Sequence, residues 1–155
     1  MGMDGRHTGN FLPVSTIIVA SDTISVRREI VSVLDASEHE IYEATSGPEV
    51  IELAHELDQV DLVIADIQMS TMGAIAVCLE LRLQASYDAL DPIPFLVLLD
   101  RRPDVFQAKR SGADGWVIKP LDAIRVRRAT AALLAGERYE DSSFKPATVL
   151  AAEAG

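Results

Sequence analysis

Three residues in this chain have the chemistry to handle a phosphoryl group together: Asp22, Asp66 and Lys119. Each stands at the end of a short apolar run. Asp22 follows Thr16–Ala20 (TIIVA) and Ser21, Asp66 follows Asp61–Ala65 (DLVIA), and Lys119 follows Trp116–Ile118. A pair of carboxylates suits Mg²⁺, which takes one or two of them together with waters and a phosphate oxygen. A lysine supplies a compact positive charge for a phosphoryl group. An aspartate can itself attack phosphorus and become an aspartyl phosphate. Taken singly, an aspartate after a strand more often starts a turn, and a lysine is more often solvated. The chemistry requires all three at one place.

Whether they meet depends on the elements between them. Thr16–Ala20 is β-branched and bounded by turn residues, which predicts a strand. Val26, Ile30, Val33 and Leu34 then recur at helical spacing, with Ser25 as the expected N-cap. Glu40–Ala44 predicts a second strand, and a helix follows with Pro48 in its first turn. Asp61–Ala65 reads as a third strand. The segment Gly73–Ala85 is helical and apolar nearly all round, which predicts deep packing. Phe95–Leu99 (FLVLL) is the fourth strand, Pro103–Ser111 a short helix stopped by Gly112, and Trp116–Ile118 the fifth strand. Asp122 caps a last helix that runs to about Ala135, before Gly136.

This is a strand–helix pair repeated five times. Runs such as DLVIA and FLVLL, apolar on both faces, predict a parallel sheet covered by helices on each side. Right-handed crossovers narrow the topology to a doubly wound, flavodoxin-like α/β sandwich. In such sheets the functional crevice lies beyond the carboxyl ends of the strands. With strand order 2-1-3-4-5, Asp22, Asp66 and Lys119 share that rim.

The 155-residue chain is 48% apolar and 25% charged, in keeping with one folded domain. Its formal net charge of -10 disfavours direct nucleic-acid binding. No run is long enough to span a bilayer. The first 13 residues lack the order of a secretory signal, so a cytoplasmic protein with a flexible leader is expected. The one cysteine, Cys78, sits in an apolar run without a basic neighbour and reads as core. His7, His39 and His55 have no ligand spacing, and Met69 and Met72 read as packing residues. A glycine-rich phosphate or dinucleotide loop is absent, which argues against a nucleotide or cofactor enzyme on the same scaffold.

Two segments carry a more specific resemblance. Asp61–Ala74 (DLVIADIQMSTMGA) resembles the phosphoacceptor stretch of response-regulator receiver domains. Gly112–Pro120 (GADGWVIKP) is similar to the closing signature of that family, an aromatic residue and a Lys-Pro pair after a glycine. Ile17–Asp22 falls on the family's acidic-pair segment and Val26–Leu34 on its first helix, so the resemblance spans residues 14 to 136. It implies that Asp66 is the phosphorylated aspartate and that Lys119 contacts the phosphoryl group. It further implies Mg²⁺ on Asp22, Asp66 and the backbone carbonyl of Gln68. A cis Lys119–Pro120 bond and an activation-linked rotation of Trp116 are also implied.

The chain departs from the family pattern at several places. Ser21 replaces the first acidic residue, which predicts weaker Mg²⁺ binding because one carboxylate is missing. Leu99 stands where the family has a threonine or serine that binds a phosphoryl oxygen. A shift of two places puts Val97 there, and neither side chain has a hydroxyl. Ser70 and Ala74 replace a proline and a glycine, which concerns loop stiffness.

The expected function is a stand-alone receiver in two-component signalling. A histidine kinase or phosphotransfer protein would phosphorylate Asp66, and output would be contact with another protein. The last helix, with Arg125, Arg127 and Arg128, offers a surface for such a contact or for a homodimer. The alternative is an atypical receiver acting as a phosphorylation-independent interaction module. Residues 137–155 are expected to be a flexible tail.

Overall fold

A computed structural model describes residues 14–143. The leader lies outside the described residues, as does the end of the chain from residue 144. Six parallel strands form one sheet in the order β2-β1-β3-β4-β5-β6. They are β1 (Ser15–Ala20), β2 (His39–Ala44), β3 (Leu62–Asp66), β4 (Phe95–Leu99), β5 (Gly115–Ile118) and the two-residue β6 (Tyr139–Glu140). Helices α1 (Ile24–Val33), α2 (Gly47–Glu56), α3 (Ala74–Ser86), α4 (Val105–Ser111) and α5 (Ala123–Leu134) connect them. The flavodoxin-like arrangement of the first five strands follows the 2-1-3-4-5 order expected from the sequence.

Every residue of β3, β4 and β5 is buried, because helices cover both faces. The pleat divides these side chains between two cores. Leu62, Ile64, Leu96, Leu98 and Val117 pack with Ile30 of α1 and with Val126, Ala129 and Leu133 of α5. Val63, Ala65, Phe95, Val97, Leu99, Trp116 and Ile118 pack on the opposite side against α2, α3 and α4. The helix ends follow local chemistry. Asp122 caps α5 by accepting the Arg125 N–H, and Ser46 caps α2 by accepting that of Glu49. Gly112, at φ 82°, ends α4 in the left-handed conformation.

Four local expectations are corrected. Ser25 is inside α1 and does not cap it. The helix starts from Thr23, whose N–H is accepted by the Ser21 hydroxyl. Asp66 is the last residue of β3 instead of the first beyond it. The helix expected from Pro103 begins as a single 3-10 turn, Arg102–Asp104, before α4. α3 is not buried all round. Ala74, Val77, Cys78 and Leu81 pack inward, whereas Leu79 and Leu83 are half exposed.

The largest correction concerns residues 137 to 143, which were expected to be tail. Tyr139 and Glu140 pair in parallel with Gly115 and Trp116 and cover the free edge of β5. Asp141 behind them is buried and accepts hydrogen bonds from the Ile118 N–H and the Arg125 guanidinium. A two-residue strand carries too little periodicity to be read in a sequence, and an aspartate suggests a solvated segment.

Burial by itself raises the pKa of Asp141. The Ile118 and Ser143 N–H groups, the Ser143 hydroxyl and the Arg125 charge outweigh it and hold the carboxyl below the ordinary aspartate value. Its stabilising contribution is therefore full above the unfolded value of about 3.9 and fades as pH falls through the lower folded value. Asp141→Asn should cost about 2 to 3 kcal/mol near neutral pH, because it removes the buried charge of the Arg125–Asp141 ion pair. Urea denaturation should show that loss and a shallower loss of stability below about pH 4 than in the parent chain.

Candidate functional site

β1, β3 and β5 deliver their last residues to one rim. Backbone register fixes this closely: Asp66 lies opposite Leu98, the Ile67 N–H donates to the Leu98 carbonyl, and the Lys119 N–H donates to the Leu99 carbonyl. Asp66 is only 3% exposed. Its Oδ1 accepts a hydrogen bond from Lys119 Nζ at 2.7 Å, and its Oδ2 accepts one from the Ser21 hydroxyl at 2.9 Å. Ser21 is fully buried, and its oxygen also receives the Thr23 N–H at 3.0 Å. Both Asp66 oxygens are thus held before any ligand arrives.

Asp22 is at the same rim but exposed. Its Oδ2 accepts the Ser70 hydroxyl at 3.1 Å, and its Oδ1 accepts the Thr23 hydroxyl at 3.3 Å. The loop bearing Ser70 also pairs with Ser46 at the end of β2. Gly47 permits this approach, since a Cβ there would run into the Met72 carbonyl. Thr71 in this loop has φ of 71°, unusual for a β-branched residue and a sign of local strain beside the site.

Lys119 is gripped twice. Its Nζ donates to Asp100 Oδ1 at 2.8 Å as well as to Asp66, and the Lys119–Pro120 bond is cis. Burial alone would lower the lysine pKa, but its hydrogen bonds to Asp100 and Asp66, and their charges, carry it above the ordinary value. Asp100 stands at the end of the β4 run in the sequence, yet nothing there assigned it a role. The usable signal was its place one residue after β4, beside the end of β5.

The remaining candidates are distributed as follows. Gln68 is exposed in the loop after β3, beside an open groove of about 530 Å³ that Asp100 and Asp104 also line. Leu99 is fully buried and Trp116 nearly so, in the same core as Val97, which pairs directly with Trp116. Neither Leu99 nor Val97 presents a polar group to the rim. The Lys109 ammonium lies 5.8 Å from the Trp116 ring centre. Arg127 and Arg128 are exposed on α5. Arg125 is not, and this corrects its expected surface role: its side chain is 14% exposed and donates to Asp122, Asp141 and the carbonyls of Ile118 and Pro120.

Comparison with known proteins decides the family. The response regulator receiver domain family matches residues 17–131. The chain belongs to that family. Among curated relatives of this receiver, the aerobic respiration control protein ArcA of Escherichia coli is 29% identical over 106 residues, 68% of this chain and 42% of ArcA. Protein PilH of Pseudomonas aeruginosa is 24% identical over 79% of this chain and all of its own length. The chain therefore spans about two fifths of the first relatives it matches and the whole of a shorter one. The crystal structure of a LuxR-family two-component response regulator from an Aurantimonas species superposes with a TM-score of 0.74, covering 92% of this chain and 99% of that one at 22% identity, a likeness of fold.

Receiver domains generally bind Mg²⁺ at an acidic pocket on this rim. The donors here fit a reduced version of it. Asp22 and Asp66 are two carboxylates at this rim, within the one or two that Mg²⁺ takes together with waters. The Ser21 hydroxyl, by contrast, is directed at Asp66. Among the described residues no group of three or more His, Cys, Asp or Glu side chains could hold a metal. Among them, too, no helix is long and apolar enough to cross a membrane.

Lys119→Met should lower stability by about 3 kcal/mol near neutral pH, because it strands the buried Asp66 charge. The ion pairs stabilise fully below the ordinary lysine pKa of about 10.4 and are lost as pH rises through the higher folded value. The difference between the two proteins in denaturant unfolding should therefore shrink as pH rises above the ordinary lysine value. Equal stability near neutral pH would contradict the pairing.

Proposed function

We propose that this receiver domain accepts a phosphoryl group on Asp66 from the phosphohistidine of a histidine kinase or phosphotransfer protein. The observation that carries this is the convergence of a buried aspartate and a lysine at hydrogen-bond distance on the carboxyl rim of the sheet. An Asp66 oxygen attacks phosphorus as the phosphorus–nitrogen bond of the donor breaks. The leaving imidazole keeps that electron pair and takes up a proton, and Asp66 becomes an acyl phosphate. Lys119 supplies positive charge to the transferred group. Asp22, Asp66 and the Gln68 carbonyl would hold Mg²⁺, whose contribution is to neutralise charge between carboxylate and phosphate.

Ser21 puts a neutral hydroxyl where the family has a carboxylate that orients metal-bound water, so Mg²⁺ binding is weak. Leu99 cannot donate a hydrogen bond to a phosphoryl oxygen, so any signal leaves the site by another route. Lys119 offers one, because Arg125 holds the carbonyls of Ile118 and Pro120 on either side of it. The working unit includes β6 and Asp141 beyond the last helix, and its output is contact with another protein. Arg127 and Arg128 on α5 are the basic groups available for that contact or for a homodimer. Direct nucleic-acid binding is not part of this function, and the site lies in the cytoplasm, where kinases and their phosphodonors are found.

A second reading has its own support. The hydroxyl-free end of β4, together with an Asp66 whose two oxygens are already engaged, favours an interaction module that works without phosphate. Incubation with Mg²⁺ and acetyl phosphate separates the two. Intact mass should show one phosphoryl adduct that Asp66→Asn abolishes, whereas no adduct on folded protein would favour the module. Ser21→Asp should lower metal-free stability by about 1 to 3 kcal/mol through carboxylate repulsion with Asp66. Mg²⁺ should restore it, so thermal unfolding should respond more to the metal than in the parent chain.

A further inference from the structure

Resting on the phosphoacceptor function just proposed, the geometry points to Asp100 as a positioning residue that sets a charge barrier to the modification of Asp66. We propose that its carboxylate holds Lys119 in the phosphate-free state and opposes the arrival of an anion.

The placement is set by the backbone. Lys119 N–H donates to the Leu99 carbonyl at 2.8 Å, so the residue after Leu99 stands beside the start of the Lys119 side chain. Asp100 Oδ1 lies 2.8 Å from Nζ and Asp66 Oδ1 lies 2.7 Å from it, so one ammonium is shared between two carboxylates. The Asp100 side chain is one-third exposed while that of Asp66 is 4% exposed. Of the two carboxylates on Lys119, that of Asp100 is therefore the more open to solvent.

The two carboxylates and the one ammonium leave one negative charge in excess. Phosphorylation replaces the single charge of the Asp66 carboxylate by a phosphoryl group of about two negative charges at neutral pH, a net gain of about one, and the same single lysine must then serve that group and Asp100. Asp100 therefore acts in two ways. It competes with the phosphoryl oxygens for the Nζ hydrogens, and its own charge repels them from a few ångströms away. Leu99 sharpens the effect, since no hydroxyl at the end of β4 compensates. Ser21 supplies no carboxylate to a metal, and the Asp100 carboxylate is tied to the lysine.

The test compares the parent chain with Asp100→Asn, Asp100→Ala and Asp100→Glu in the full chain, with circular dichroism to verify folding. Adduct formation from acetyl phosphate with Mg²⁺ is followed by intact mass, and affinity for beryllofluoride by calorimetry. The asparagine and alanine variants should gain the adduct and bind beryllofluoride about tenfold faster and tighter, after allowance for screening of a partly exposed charge. The glutamate variant should resemble the parent. The difference between parent and asparagine variant should shrink as salt rises from about 0.05 to 0.5 M, a response that a purely structural role would not give. Equal or slower reaction in Asp100→Asn, where the parent does react, overturns this inference and leaves Asp66 a phosphoacceptor. If no folded variant reacts or binds beryllofluoride, the phosphoacceptor function itself is overturned and the barrier falls with it.

Discussion

A carboxylate shut away from water keeps its charge at low cost only when cations or hydrogen-bond donors replace the solvent. Asp66 has two such partners, the Lys119 ammonium on one oxygen and the Ser21 hydroxyl on the other. Most of the rim is arranged around this requirement. The register between β4 and β5 sets where Lys119 emerges, and the apolar strands around it exclude water that would otherwise screen the pair. Asp100 then shares the lysine without being buried itself. The result is a tightly held set of charges with one negative charge in excess, in which any incoming anion must compete for a group already in use.

The same lysine also links the site to the edge of the sheet. Residues on either side of it, Ile118 and Pro120, give their carbonyls to Arg125, and the Ile118 N–H goes to Asp141. Arg125 and Asp141 pair with one another in turn. A segment beyond the last helix is therefore fastened to the backbone that carries Lys119. This makes β6 more than an edge cover, because movement at the rim has a short path of hydrogen bonds to follow. That path uses no residue at the end of β4, where Leu99 is packed as ordinary core.

Much of this was legible in the sequence, for identifiable reasons. DLVIA and FLVLL could only be strands buried on both faces, and five strand–helix pairs leave few topologies open. Once the strand order is known, residues at the strand ends must meet, which is why Asp22, Asp66 and Lys119 could be grouped before any coordinates. The misses share a cause. Asp100, Asp141 and the inward turn of Arg125 depend on which particular partner a charged side chain finds across the fold. A charge in a sequence reads as solvated unless its partner is known, and those partners lie 16 to 19 positions away for Arg125–Asp141 and Asp100–Lys119. Ser25 failed as a cap for a more local reason, since Ser21 had already engaged the Thr23 N–H and started the helix earlier.

The central claim is that the shared ammonium of Lys119 makes Asp66 a receiver of phosphoryl anions. A crystal structure of the chain grown with Mg²⁺ and beryllofluoride examines this most directly. The claim predicts a beryllofluoride group bonded to an Asp66 oxygen, with Lys119 Nζ turned from Asp100 to a fluorine. An unmodified Asp66 still bridged through Lys119 to Asp100, at saturating beryllofluoride, would contradict it.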